Sequence, residues 1–237
     1  MIELRPFETL GAANHGWLDA HHHFSFAGYH DPARVHWGAL RVWNDDRIAP
    51  KSGFPTHPHN DMEIITYVRT GAITHRDSMG NEGRTEAGDV QVMSAGRGVA
   101  HSEFNLEDEE TTLFQIWIIP DERGGEPGWG ARKFPKADRA GAFVPLASSA
   151  SNDDDVAAGA LPIRTDARVL GATVKAGDSV TYRPRDPSRH LYLVPATGKV
   201  RVEQVEAKAR DGIAITQQES VTITALEDSE LVLVDAA

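Results

Sequence analysis

Cysteine is absent from the 237 residues. The chain therefore has no disulfide framework, no thiolate nucleophile and no sulfur-ligated zinc. Basic residues are scarce beside acidic ones: 24 Lys and Arg face 35 Asp and Glu, for a formal net charge of −11. Such a chain lacks the positive surface that draws a nucleic-acid backbone or an anionic membrane directly. Any meeting with nucleic acid would run through a protein partner, which the sequence does not name. Long hydrophobic runs are missing as well, and no stretch approaches the length of a membrane span. The start, Met1-Ile2-Glu3-Leu4-Arg5-Pro6, has neither the basic nor the apolar region of a secretory signal. A reducing cytoplasm is the expected compartment. What remains, 40% hydrophobic and 25% charged residues, is the balance of a soluble globular protein with a real core.

A helical period is also lacking. Short runs with strand character alternate instead with glycine-bearing turns. Gly38-Ala39-Leu40-Arg41-Val42-Trp43 reads as a strand turned by Asn44-Asp45-Asp46, and Glu63-Ile64-Ile65-Thr66-Tyr67-Val68 as another, ending at a Thr70-Gly71 hairpin. Ala72 to Ser78, Val90 to Ser94 and Leu113 to Ile119 follow. The segment from Asp121 to about Ala160 is rich in Gly, Pro, Ser and Asp and reads as a long connection with room for one short helix. Strands resume at Ala167. This pattern predicts an all-β protein of the sandwich or barrel kind.

A weak internal repeat suggests two copies of one barrel. Thr66 to Ile73 is echoed by Tyr192 to Val200, with Gly71 aligning on Gly198, and the acidic residue before the next strand, Asp89, aligning on Glu219. The second copy has one histidine, His190, and no His-x-His.

Eleven histidines are present, and their spacing matters more than their number. On a strand, residues i and i+2 share a face. His57-Pro58-His59 and His101-Ser102-Glu103 are two such pairs, and if their strands face each other inside a barrel, three imidazoles and a carboxylate converge. Pro58, with no N–H to give, places the first pair at a strand end or a sheet edge. Nitrogen and oxygen donors without sulfur suit Fe(II) first, with Mn, Co, Ni, Cu and Zn as alternatives. Four such ligands leave a position of an octahedral ion open, as catalysis requires. Glu103 could also act as general base toward an incoming hydroxyl. Glu63 has the parity of His57 and His59 and is read as a group that orients an imidazole, or else as an alternative carboxylate ligand. Phe54, Met62, Met93, Phe104 and Trp117 could line a pocket for a flat aromatic ligand, although core packing is the plainer reading. Asp89 is read as a turn acceptor. The run His21-His22-His23 is expected to bond to backbone groups rather than to a metal.

These residues resemble a known family. Gly53…His57-Pro58-His59…Glu63…Gly71 is similar to the first cupin motif, and Gly88-Asp89…Gly96…His101 to the second. Phe54-Pro55-Thr56-His57-Pro58-His59, His75-Arg76-Asp77-Ser78, Ser94-Ala95-Gly96-Arg97-Gly98 and His101-Ser102-Glu103 resemble the pirin family, and His21 to Phe26 resembles its N-terminal signature. The resemblance is specific over the first 120 residues and loose beyond. It implies two cupin (jelly-roll β-barrel) domains packed as a bicupin, with short helical or irregular connections: a metal-bearing domain over 1–125, a connecting segment over 126–160 and a metal-free domain over 161–237. It further implies one metal, commonly iron, held by His57, His59, His101 and Glu103. The activity implied is that of a quercetin 2,3-dioxygenase, which opens a flavonol ring with O2 and releases carbon monoxide. The alternative it carries is a non-enzymatic regulator acting through a protein partner. Asn60-Asp61-Met62 departs from the family's frequent Arg-Gly-Phe, which leaves the lining of the site more open than the metal.

Overall fold

Runs of three to nine residues between turns can pair only as strands, and the computed structural model, which describes residues 1–237, contains twenty-two of them. The one α-helix, Asp153–Ala157, is a single turn capped by the Asn152 side chain, and it lies in the expected connection. No helix is long and apolar enough to cross a membrane. The strands form two barrels, each made of a seven-stranded and a four-stranded antiparallel sheet apart from one short parallel pairing. The architecture is the expected bicupin.

In the first barrel the small sheet runs in the order Ser52–His59, Val99–Asn105, Ala72–Asp77, Glu82–Glu86. The His-Pro-His strand is thus at an edge, where the missing N–H of Pro58 breaks no ladder. The large sheet carries Glu63–Thr70 and Thr111–Ile118 at its centre and Leu40–Ile48 beside them. Asn44, Asp45 and Asp46 do not turn the chain: they continue the strand to Ile48 and are all buried. Two of the three polar side chains there are paired by the tertiary fold, and the third faces open space. Asn44 meets His22, Asp45 is paired with Arg69 and Arg210, and Asp46 faces a cavity.

The segment 126–160 is more than a connection. Gly128–Arg132 adds an edge strand to the first large sheet, and Val144–Ser149 adds a strand to the second, between Ala167–Val174 and the edge strand Leu161–Ile163. The N-terminal strand Ile2–Arg5 crosses the molecule to pair with Gly212–Ile215 in the second barrel.

The two glycines of the repeat are equivalent in space. Gly71 and Gly198 both join a large-sheet strand to a small-sheet strand, with φ of 73° and 80°, the left-handed region that glycine enters freely. The acidic alignment is off by one strand. By strand order, Val90–Ser94 corresponds to Gly212–Ile215 and not to Val221–Ala225. The correct counterpart of Asp89 is therefore Asp211; two similar acid-then-strand signals in succession hid the offset. Val221–Ala225 is the counterpart of the strand bearing His101 and Glu103. Its inward residues are Val221, Ile223 and Ala225.

The interiors differ accordingly. The second barrel holds one apolar cluster of 17 buried residues. The interior of the first is split into clusters of six and four, at Leu18–Leu113 and around Met93, because imidazoles, carboxyls and amides occupy the middle. The largest apolar cluster, 23 residues, lies between the two large sheets and joins the barrels.

Candidate metal centre

The strand Val99–Asn105 alternates strictly, with Val99, His101, Glu103 and Asn105 buried. His101 lies opposite His57 and Val99 opposite His59 on the edge strand. Between His101 and Glu103 the register slips, so that Glu103 faces Phe54. One residue is added on the edge strand, and this bulge turns Phe54 to the inner face that simple alternation would deny it.

The three imidazoles converge. Donor atoms of His57, His59 and His101 all lie within 4.8 Å of one another, and the Nε2 atoms of His57 and His101 are 3.1 Å apart. His57 Nδ1 is 2.7 Å from the Pro55 carbonyl. A carbonyl only accepts, so Nδ1 carries the proton and Nε2 of neutral His57 is bare. A bare nitrogen facing a second ring nitrogen at this distance calls for a shared proton or a cation. With metal–nitrogen bonds of about 2.0–2.1 Å, a 3.1 Å separation corresponds to an angle at the metal of roughly 100°. The donor set therefore fits a divalent transition-metal ion. Burial, reinforced by the neighbouring His57, holds His59 at a pKa of about 4. Burial, with His57, His59 and His75 beside it, holds His101 at about 3. Both rings are thus neutral at neutral pH, the form that ligates.

Glu103 stands to one side of the triad. Its carboxyl groups with His101 and His75 rather than with His57 and His59. Oε1 accepts from Gln91 Nε2 at 2.7 Å and Thr66 Oγ1 at 3.3 Å, and Oε2 accepts from Gln115 Nε2 at 2.7 Å. Both amides are oriented from behind: Thr85 Oγ1 donates to Gln91 Oε1 and Trp117 Nε1 to Gln115 Oε1. Burial lifts the Glu103 carboxyl to about 7, against the opposing pull of Gln115, Thr66 and Gln91.

A cavity of about 370 Å³ adjoins this group, lined in part by Trp17, Phe26, Phe54, His22, Asp46 and Gln115. Three contacts tie its wall to the ligand cluster. Phe54 packs against the His57 ring at 6.2 Å. Phe26 meets Trp117, which meets His59 edge-on at 5.0 Å. Gln115 reaches Glu103.

Comparison with known proteins decides the family. A family model described as Pirin matches residues 4–118, and one described as Quercetinase C-terminal cupin domain matches 149–236. A pirin-like protein of Caulobacter vibrioides is 64% identical over 237 residues, all of both chains. The chain belongs to the pirin family. Another relative, the quercetin 2,3-dioxygenase of Escherichia coli, is 41% identical over 237 residues, 99% of this chain and 98% of that one. Among solved structures, the bacterial pirin YhhW from Escherichia coli in complex with nickel(II) superimposes with a TM-score of 0.91 at 39% identity, covering 100% of this chain and 99% of the other.

The remaining expectations divide on this pirin fold. Glu63 does not orient an imidazole. Its Oε2 accepts from Ser94 Oγ at 2.6 Å and from the Arg164 N–H at 3.2 Å, so it clips the second domain to the first. Its parity with His57 misleads because the chain changes sheets between them. Among the apolar candidates, Phe54 lines the cavity, whereas Met62, Met93 and Trp117 pack around a small core cluster. Asp89 sits at a turn, but its carboxyl accepts from the distant Phe134 N–H at 2.9 Å rather than from the turn itself. In the histidine run, the partners are side chains rather than backbone groups. His22 Nδ1 meets Asn44 Oδ1 at 2.8 Å and His23 Nδ1 meets the Tyr192 hydroxyl at 2.9 Å, while His21 packs against Phe7 with the rings tilted by 38°. Sequence reading missed Asp46, Gln91 and Gln115. Only strand alternation could have pointed to them, since none belongs to a recognisable motif.

Proposed function

We propose that this protein is a metal-dependent dioxygenase that cleaves a flavonol, or a related aromatic with an enediol-like pair of oxygens, using O2. The observation that carries the reading is the cavity whose lining residues Phe54, Phe26 and Gln115 reach His57, His59 (through Trp117) and Glu103 respectively, although no candidate ligand itself lines the cavity. Its volume falls within the roughly 300–1,000 Å³ of small-molecule sites. His57, His59 and His101 would hold the ion, with Glu103 as the fourth ligand. Iron(II) is the first choice, and the nickel(II) complex of the Escherichia coli pirin keeps nickel in view. When bound, the ion would supply Lewis acidity and a template for substrate and O2.

The chain's own residues do the rest. Trp17, Phe26 and Phe54 offer apolar surface to a flat ring and keep water from it. Glu103 can take the proton of the substrate's hydroxyl, because Gln91 and Gln115 fix the carboxyl in place. Asp46 lines the same cavity at 2% exposure, and its Oδ1 has no hydrogen-bond partner. Burial first, then the nearby Asp45 and Glu103, push its pKa well above the usual carboxyl range. A protonated Asp46 can donate to a carbonyl or ether oxygen of the ligand.

A cavity beside the ligands favours the enzyme over a purely regulatory role, for which a sealed metal would suffice. The testing experiment is oxygen uptake with quercetin by anaerobically purified protein of known metal content. Uptake should scale with metal and disappear in His57→Ala. Fully iron-loaded protein that consumes no O2 with quercetin or related polyphenols would refute the proposal.

A further inference from the structure

The segment His75-Arg76-Asp77-Ser78 plays no part in the reading so far, yet it lies directly behind the ligand strand. Asp77 faces His101 and His75 faces Glu103 across the ladder. His75 is fully buried. Its ring lies parallel to the Trp129 indole, 10° off and 4.9 Å away, and Trp129 fits there because Gly83, cross-strand from His75, has no Cβ to collide with the indole.

Proton bookkeeping from Asp77 through His75 to His101 has one solution for neutral rings when a cation, rather than a proton, lies between His101 and His57. Asp77 Oδ1 accepts from the Met79 and Asn81 N–H groups at 2.9 and 3.0 Å. Its Oδ2 accepts from Asn81 Nδ2 at 2.9 Å and lies 3.1 Å from His75 Nε2. A carboxylate surrounded by donors is acceptor only, so His75 carries its proton on Nε2 and presents a bare Nδ1. That bare Nδ1 is 3.3 Å from His101 Nδ1. The contact is favourable only when His101 carries its proton on Nδ1. The other nitrogen of His101, Nε2, is then bare, and it is the atom that faces His57 Nε2 at 3.1 Å.

We propose that Asp77 and His75 form a positioning pair that fixes His101 in its Nδ1–H tautomer and so commits His101 Nε2 as the metal donor. The proposal rests on His101 being a ligand, as the functional reading has it. Neither Asp77 nor His75 need touch substrate or metal. A partner that sets a ligand's tautomer and ring angle is typically worth about 10- to 100-fold in metal affinity.

The test has two readouts, neither of them turnover. In protein loaded with diamagnetic Zn(II) and labelled with ¹⁵N-histidine, the ring nitrogen shifts report the tautomer of His101 directly, expected as Nδ1–H with Nε2 as the donor. In the second, Ni(II) binding is measured by chelator competition together with the visible ligand-field spectrum. His75→Phe keeps the volume and the stack on Trp129, so it is expected to fold. It should lose about 10- to 100-fold in Ni(II) affinity, shift the spectrum and release His101 into a mixture of tautomers. Asp77→Asn should move both readouts in the same direction, and His75→Gln, which can still offer an acceptor to His101, should recover part of the loss. A His101 found as the Nε2–H tautomer in the wild type would overturn the proposal. So would a His75→Phe protein with unchanged affinity and spectrum. Failure of the ligand reading looks different: the wild type would bind neither Ni(II) nor Zn(II), which would remove the pair's metal role while leaving its structure intact.

Discussion

At the scale of single residues, the site combines groups that the sequence announces with groups that it conceals. His57, His59, His101 and Glu103 stand out because two same-face pairs are legible from spacing alone. Asp46 is not legible, because Asn44-Asp45-Asp46 has the composition of a turn and only the partners His22, Arg69 and Arg210, distant in sequence, make it a buried strand. Its unpaired carboxyl suits it to contact a ligand and makes it a poor core residue. Replacing it with leucine should therefore separate two properties. Asp46→Leu should raise KM for a flavonol about 2- to 10-fold, the worth of one hydrogen bond of about 0.5–1.5 kcal/mol. It should leave kcat within about twofold and should not lower the melting temperature. Steady-state oxygen uptake and thermal unfolding check the pair. An unchanged KM would remove Asp46 from the binding surface.

At the scale of elements, one strand decides which barrel carries chemistry. Val99–Asn105 and Val221–Ala225 occupy the same place in their barrels and bury alternate residues alike. The first turns His101 and Glu103 inward, the second Ile223 and Ala225. The repeat is readable at its turns, where geometry demands glycine, and blurred in its strands, where any apolar residue serves. Gly71 and Gly198 make this concrete. At each, positive φ is joined by a close approach, to Thr111 and to Ser229. Gly71→Ala and Gly198→Ala should each cost about 1–3 kcal/mol, since a left-handed backbone costs an L-residue about 1–2 kcal/mol before any clash. Urea unfolding would measure it, and a loss below about 0.5 kcal/mol at either site would contradict the equivalence.

At the scale of the whole molecule, the barrels share their largest core, so neither half is an independent unit. Sequence composition marks 126–160 as a connection, and it cannot show that the segment gives strands to both sheets, because such pairing leaves no local periodicity. Polar groups cross the junction too: His23 with Tyr192, Asp45 with Arg210, and Glu230 with Tyr67 and Arg139. His23 gives the junction a pH signature. Burial first, then Arg5, Arg34 and Arg210, hold its pKa well below the ordinary histidine value of 6.5. The folded ring therefore refuses a proton that the unfolded chain accepts. Its contribution to stability is complete above about pH 6.5 and is lost as pH falls below that value. The loss approaches about 1.4 kcal/mol per pH unit for one proton. His23→Gln should flatten the pH dependence of unfolding free energy between pH 7.5 and 5 by up to that slope. Parallel curves for variant and wild type would show that His23 does not carry this effect.

The strand exchange at the N-terminus has a mechanical meaning. Ile2–Arg5 and the C-terminal strand Ser229–Ala236 lie in the same seven-stranded sheet, that of the second barrel. Tension applied to the two ends is borne first by that sheet and reaches the histidine barrel only after it has torn. The second barrel is therefore the clasp that takes the strain, and the barrel with the histidine cluster is the part it shelters.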